Sequence, residues 1–339
     1  MRIAYLLDST ELSGGVYVAL LQAEALGRRG HRVAVVSPGP APRWFPLSRA
    51  RFERSSFADS RELASAEVRV ATFWTTVAPA LAAASGPVFH LSQGYEAAFS
   101  FYAAQRDRIE AAYSLPARKL AISASLAARL EAAGHGPVEN VGQAFDPAPF
   151  FPVHEPRPSS DRPVVLVVGP CAADVKGIAV AYEGLTLWRK RGGDFFLRRV
   201  ATEPPTEAER TGDLVDEYHR AVPPERMPFL YRACDVFIAP SRAEEGFGLP
   251  AVEALASGLP CLLSDTPGHR EMAGESAWYF RDGDPAALAE ALPGLLTPAA
   301  RARAGAGAPL AAAQFEPARV AERLERAFAG ALADGTPSR

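Results

Sequence analysis

The sequence predicts an α/β protein built from two doubly wound domains, and three observations carry that prediction. The chain has 339 residues, enough for two domains that each bury a core. Residues 2–7, 16–29 and 31–37 read as strand, helix and strand, the right-handed βαβ opening of a doubly wound sheet. Residues 234–239, 251–257 and 260–264 repeat that unit late in the chain, with a glycine-containing loop after the first strand.

Taken in order, residues 2–7 are a short apolar run, and Ser13-Gly14-Gly15 follows as a loop. Val16, Leu20, Leu21 and Leu26 then recur at helical spacing until Gly30 stops the helix. Residues 38–57 are rich in Pro and Arg, with Arg43, Trp44, Phe45, Arg49, Arg51 and Arg54 against a single Glu53. The bland reading is an irregular solvated segment. The sharper one is a mobile loop that meets an anionic acceptor or a membrane surface. Residues 68–73 and 88–91 read as strands, with a short alanine-rich helix at 79–84 between them. A strand at 120–123 and a helix running to 133 follow. Residues 146–163 hold many prolines and no periodicity, the pattern of a linker between domains.

The second half opens with the apolar strand 164–169, and Lys176-Gly177 stands before a helix. Residues 195–200 and a short stretch before Val222 read as strands, and 228–233 as a helix. Next comes Pro240-Ser-Arg-Ala-Glu-Glu-Gly-Phe-Gly-Leu-Pro-Ala-Val-Glu-Ala-Leu-Ala-Ser-Gly-Leu-Pro260. Its helix, 251–257, starts after Pro250 and ends before Gly258, as proline at the first helical position and glycine past the last dictate. A helix N-terminus leaves amide N–H groups unpaired and partly positive, which favours an anion. Gly246 and Gly248 let a ligand approach the backbone closely. Glu245 sits on the loop and Glu253 is read in the first helical turn, where the helix dipole alone favours a carboxylate by about 0.3–1 kcal/mol. Asp282-Gly-Asp284 has the look of a metal pair but reads as a helix N-cap, because Pro285 follows Asp284 at the first helical position. A final helix is expected over 317–328.

Composition narrows the classes. Hydrophobic and charged contents of 48% and 22% are those of an ordinary globular protein, and a net charge of −3 argues against bulk nucleic-acid binding. Cys171, Cys234 and Cys261 are scattered in apolar or small-residue surroundings, so they read as reduced packing residues and point to the cytoplasm. The first apolar run is too short for a secretory leader and is broken by Asp8. No apolar run reaches membrane-spanning length.

The string from Pro240 to Pro260 resembles the signature of retaining glycosyltransferases of family four, with its paired glutamates. The resemblance implies the GT-B fold, two Rossmann-like domains facing a cleft. Residues 1–150 would form the acceptor-side domain, 151–315 the nucleotide-sugar domain, and 316–330 a helix packing back on the first. The implied activity is transfer of a sugar from a nucleoside diphosphate sugar to a hydroxyl acceptor, a polysaccharide, lipid or natural-product glycoside, with configuration retained. No cofactor and no metal are implied.

In that frame Lys176 and the amides of Gly246, Phe247, Gly248 and Leu249 neutralise the diphosphate. Glu245 contacts donor-sugar hydroxyls, Glu253 holds the ribose hydroxyls, and Gly14-Gly15 approaches the donor phosphates. Two departures stand out. Gln93-Gly94 occupies the place of the family's His-Gly, and a Gln hydrogen-bonds a sugar hydroxyl but cannot titrate. Pro170 stands where the family has an Arg that shares the diphosphate with the Lys, which leaves Arg198 or Arg199 as the nearest substitutes. The expected location is the cytoplasm, with the Arg43–Arg54 stretch as a peripheral contact at the inner membrane face. Two other readings stay open: a sugar-nucleotide epimerase of the same fold, and a two-lobed binding protein without catalysis.

Overall fold

A computed structural model describes residues 1–83, 86–152 and 162–335, with side chains omitted at 308–312. The chain divides into two compact units, Met1–Asp146 with Phe315–Arg339, and Pro147–Gln314.

The first unit is built on a parallel sheet of seven strands: β1 (Arg2–Leu6), β2 (Arg32–Ser37), β3 (Arg51–Arg54), β4 (Val68–Ala71), β5 (Val88–Ser92), β6 (Arg118–Ala121) and β7 (Val138–Asn140), in the order β3-β2-β1-β4-β5-β6-β7. A parallel sheet covered on both faces needs strands that are apolar on both sides. Ile3 to Leu6 and all of β4 and β5 are accordingly buried. The helix Gly14–Arg28 starts two residues before the expected Val16, because the Ser13 hydroxyl accepts from the Val16 amide and caps it.

The segment 38–57 corrects the expectation of a loose loop. Residues 51–54 form the edge strand β3, paired in register from Ala34↔Arg51 to Ser37↔Arg54. Charged side chains suit an edge and hide it from an alternation search. Upstream, Glu24 accepts from the amides of Ser48, Arg49 and Ala50, and Trp44 donates to the Thr10 carbonyl at 3.0 Å. These bonds tie the whole segment to its unit. The short helix expected at 79–84 is the helix Trp74–Ala83, with residue 84 outside the described residues.

The last helix, Pro317–Ala333, is longer than expected and belongs to the first unit. Phe145 donates its amide to the Phe315 carbonyl at 2.8 Å, and Phe328 lies 4.8 Å from Phe89, ring centre to ring centre. Arg29 meets both Glu322 and Glu325.

The second unit carries a parallel sheet of six strands: β8 (Val164–Val168), β9 (Phe196–Ala201), β10 (Glu217–Arg220), β11 (Val236–Ala239), β12 (Cys261–Ser264) and β13 (Trp278–Phe280), in the order β10-β9-β8-β11-β12-β13. Its core gathers Val165, Val167, Ile178, Leu185, Ile238 and Leu262. Trp188 stacks on Phe195 with ring centres 5.2 Å apart. In each sheet the strand order reverses beside the first strand of the unit, β1 or β8. Such a switch point opens a crevice beyond the carboxyl ends of the strands, where doubly wound sheets hold ligands. Most of the linker expected at 146–163 falls outside the described residues.

Candidate functional site

At the switch point of the second unit, β8 runs into Gly169 and its neighbour β11 runs into Pro240. The two following loops touch. Gly177 has φ +61°, and a Cβ there would fall 2.0 Å from the Pro240 carbonyl oxygen, so no other residue fits. Arg242 donates its amide to the Val175 carbonyl at 2.8 Å, a second tie between the loops. Lys176 thereby stands opposite the glutamate loop, its stem against Gly169 and its Nζ in an ion pair with Glu245 Oε1.

Burial pushes the Glu245 carboxyl up, but the Lys176 charge and hydrogen bond outweigh it and hold it below the usual range. Its other oxygen, Oε2, is buried and makes no hydrogen bond. His269 closes the far side. Its Nδ1 lies 2.9 Å from the Ser264 carbonyl, which fixes the proton on Nδ1 and leaves Nε2 as an acceptor. That ring approaches Gly248: a Cβ at Gly248 would stand 3.6 Å from Nε2. Burial lowers the His269 pKa, which favours the neutral ring. His269 lies on the helix Pro267–Ala273, and the sequence did not single it out.

Glu253 requires a correction. The helix spans Leu249–Ala256 behind an N-cap at Gly248, so Glu253 lies in the second turn, not the first. The dipole explanation fails there, because the dipole's influence fades within one turn. Instead Glu253 is partly buried and accepts from the Tyr231 hydroxyl at 2.7 Å. Burial raises its pKa to about 7, with Tyr231 and Lys176 opposing the rise. Tyr231 is fully buried on the helix Met227–Arg232 and was not singled out by the sequence.

The loop amides are partly engaged. Gly246 donates to the Glu244 carbonyl at 3.1 Å and Glu245 to Arg242 at 3.0 Å, which folds 242–246 into a tight turn. Phe247 is buried, Gly248 takes φ +85°, and no side chain caps the helix that Leu249 begins.

Neither proposed substitute for the missing Arg at Pro170 is available. Arg199 is fully buried beneath the loop, donating to the Val167 and Gly169 carbonyls at 2.7 Å each and to the Tyr182 hydroxyl at 2.6 Å, with Glu209 at 3.2 Å. Arg198 pairs with Glu217 and the Ala233 carbonyl. Asp284 caps its helix, accepting from the Ala286 and Ala287 amides at 3.0 Å each.

In the first unit, Gly14 and Gly15 open the helix after β1, and Gln93 follows β5. The fold brings them together: Gln93 Nε2 donates to the Gly15 carbonyl at 2.9 Å. Among the described residues no helix is long and apolar enough to cross a membrane.

Residues 162–298 match the family of glycosyl transferases group 1. The chain is 40% identical over 113 residues to D-inositol 3-phosphate glycosyltransferase of Nocardia farcinica, a match covering 32% of this chain and 25% of that relative. It is 28% identical to phosphatidyl-myo-inositol mannosyltransferase of Mycolicibacterium smegmatis over 85% of this chain and 82% of that one. Among solved structures, sucrose-phosphate synthase from Thermosynechococcus elongatus superposes with a TM-score of 0.76 at 20% identity, covering 98% of this chain and 99% of the other. Anabaena HepE in complex with UDP-glucose gives 0.76 at 16% identity, with 97% and 99% covered. The two parallel-sheet units are those of the GT-B fold.

Proposed function

From the premise that the second unit carries a glycosyl transferases group 1 domain, we propose that the protein is a glycosyltransferase. It takes a sugar from a nucleoside diphosphate sugar and places it on a hydroxyl acceptor, with retention at the anomeric carbon and without a divalent metal. The observation that carries this reading is the Lys176–Glu245 pair at the switch point, inside the matched residues. A cation and a carboxylate held together there suit a ligand that is anionic at one end and rich in hydroxyls at the other.

The chemistry follows from what must be stabilised. As the bond from the anomeric carbon to the diphosphate breaks, charge builds on the leaving oxygen and the sugar becomes oxocarbenium-like. Lys176 and the uncapped start of the helix Leu249–Ala256 neutralise the diphosphate without reorganising. Glu245, with a buried oxygen still lacking a hydrogen bond, accepts from donor-sugar hydroxyls. Glu253, fixed by Tyr231, accepts from the ribose hydroxyls. The acceptor oxygen attacks on the face from which the diphosphate leaves, and its proton passes to the departing phosphate oxygen. Gly14-Gly15 approaches the donor phosphates from the first unit, and Gln93, bonded to the Gly15 carbonyl, supplies a neutral polar contact to the sugar or the acceptor.

The test is a panel of nucleoside diphosphate sugars, ranked first by thermal stabilisation, since a ligand of the folded state alone raises the melting temperature. The best donor is then incubated with hydroxyl acceptors, and the product's anomeric configuration is read by NMR. Glycoside formed with the donor's configuration is the expected result. Donor turnover that needs no acceptor and returns an isomeric nucleotide sugar would replace transfer with epimerisation.

A further inference from the structure

Pro170 leaves the site one cation short, and neither Arg198 nor Arg199 can turn toward it. Resting on the reading of the site as a diphosphate cradle, we propose that Arg242 is the second phosphate-binding cation and that Asp282 holds it in reserve.

Arg242 lies in the loop after β11, and the hydrogen bond from its backbone N–H to the Val175 carbonyl sets it beside the neighbour of Lys176. Its guanidinium is 42% exposed and reaches Asp282 at 3.2 Å. Gly283 makes that position accessible: at φ +72°, a Cβ there would stand 2.2 Å from Arg242 Nη1. The acid is part of the same cluster, because Asp282, Glu245 and Lys176 all bear on the protonation of His269. Arg242 and Lys176 are thus each matched to one carboxylate, Asp282 and Glu245.

A half-exposed ion pair of this kind is weak, since both partners keep water nearby and lose side-chain freedom to meet. A diphosphate is a stronger partner. Its charge is larger, and its oxygens match the fork of a guanidinium in a bidentate way that Asp282, at one contact of 3.2 Å, does not. Ligand binding therefore transfers Arg242 from Asp282 to phosphate. Asp282 acts as a competing anion, so two substitutions at one ion pair have opposite effects on affinity.

The experiment measures calorimetric affinities for inorganic pyrophosphate, a nucleoside diphosphate and the bare nucleoside. It compares the wild-type chain with Arg242→Gln, Arg242→Lys and Asp282→Asn, beside donor turnover. Arg242→Gln is expected to weaken pyrophosphate and nucleoside diphosphate about tenfold or more, the scale of one lost charge-assisted contact, and to leave the nucleoside unchanged. Arg242→Lys should recover part of the loss. Asp282→Asn should tighten both phosphate ligands. Arg242 is exposed enough that all three variants should fold, and their melting curves check this. Phosphate affinities indifferent to Arg242→Gln, with donor turnover intact, would overturn the assignment while leaving glycosyl transfer standing. Pyrophosphate bound in an Arg242-dependent way by a chain that consumes no nucleotide sugar would sustain the cation's role and overturn glycosyl transfer.

Discussion

Lys176 Nζ and Glu245 Oε1 form an ion pair that joins the loop after β8 to the loop after β11. The pair couples two functions that the sequence presents 69 positions apart. While it is intact, the cation proposed for the diphosphate is neutralised by the carboxylate proposed for the sugar. A donor that engages both ends separates them, so part of the binding energy goes into breaking the pair.

Replacing Lys176 should therefore do two things. Lys176→Ala removes a contact that strengthens as the diphosphate leaves, costing at least ~2 kcal/mol of transition-state stabilisation. It also strands a buried carboxylate, costing about 1–3 kcal/mol of stability. Adding Glu245→Gln to that variant should restore the melting temperature without restoring turnover. Near-wild-type turnover of Lys176→Ala at saturating donor would refute the assignment.

The pH dependence of stability and binding follows from Glu253. Burial raises its pKa to about 7, against an ordinary 4.5 in the unfolded chain. Between those values the folded state holds more protons than the unfolded one. The contribution of Glu253 to stability is therefore full below the unfolded value and is lost as pH rises through about 7. Glu96, also raised to about 7 by burial, acts with the same sign, so Glu253→Gln should flatten the slope in part. Ribose hydroxyls donate more strongly to the ionised carboxylate than to the neutral acid. Nucleoside diphosphate affinity should thus strengthen as pH rises through about 7 and become insensitive to pH in Glu253→Gln. Calorimetry across that range checks both; an unchanged pH profile in the variant would remove Glu253 from the ribose.

The sheets were legible because their strands are apolar on both faces, as with residues 2–6 and 164–168, and because Gly30 and Gly258 mark helix ends. The edge strand β3 was not, since Arg51 and Arg54 belong to no apolar alternation and only pairing with β2 makes them a strand. The glutamate pair could be read from a local string. Its surroundings could not: Tyr231 and His269 reach Glu253 and Gly248 through the packing of helices distant in sequence. Arg199 shows the limit most clearly. The sequence offers it as a substitute for the missing phosphate ligand, yet within β9 its side chain turns inward to satisfy the carbonyls at the end of β8.

Asp284 gives a test of metal chemistry. Because its carboxylate is committed to two helix amides, Asp284→Ala should cost about 1 kcal/mol of stability and leave turnover nearly intact. Chelator-treated wild-type enzyme should keep most of its activity. Loss on chelation with rescue by manganese or magnesium would show that the acidic pair had been misread.

The two glutamates should separate kinetically, because the structure gives them different neighbours. Glu253 is anchored by Tyr231 below the start of its helix, while Glu245 faces Lys176 on the loop. In the proposed complex Glu253 meets a part of the donor that does not change during reaction. Glu253→Gln should therefore weaken donor and free nucleoside diphosphate alike and spare kcat at saturation, the pattern of uniform binding. Glu245 meets the sugar, where charge develops. Glu245→Gln should lower kcat strongly, by about 100-fold if the contact resembles one lost oxyanion donor. Its affinity for the bare nucleoside diphosphate should not fall, and release of Lys176 from its ion pair should favour that ligand if anything. The measurement is kcat for each variant beside its calorimetric affinity for the nucleoside diphosphate. The reverse pattern, with Glu245→Gln losing nucleotide affinity at preserved kcat, would exchange the two roles.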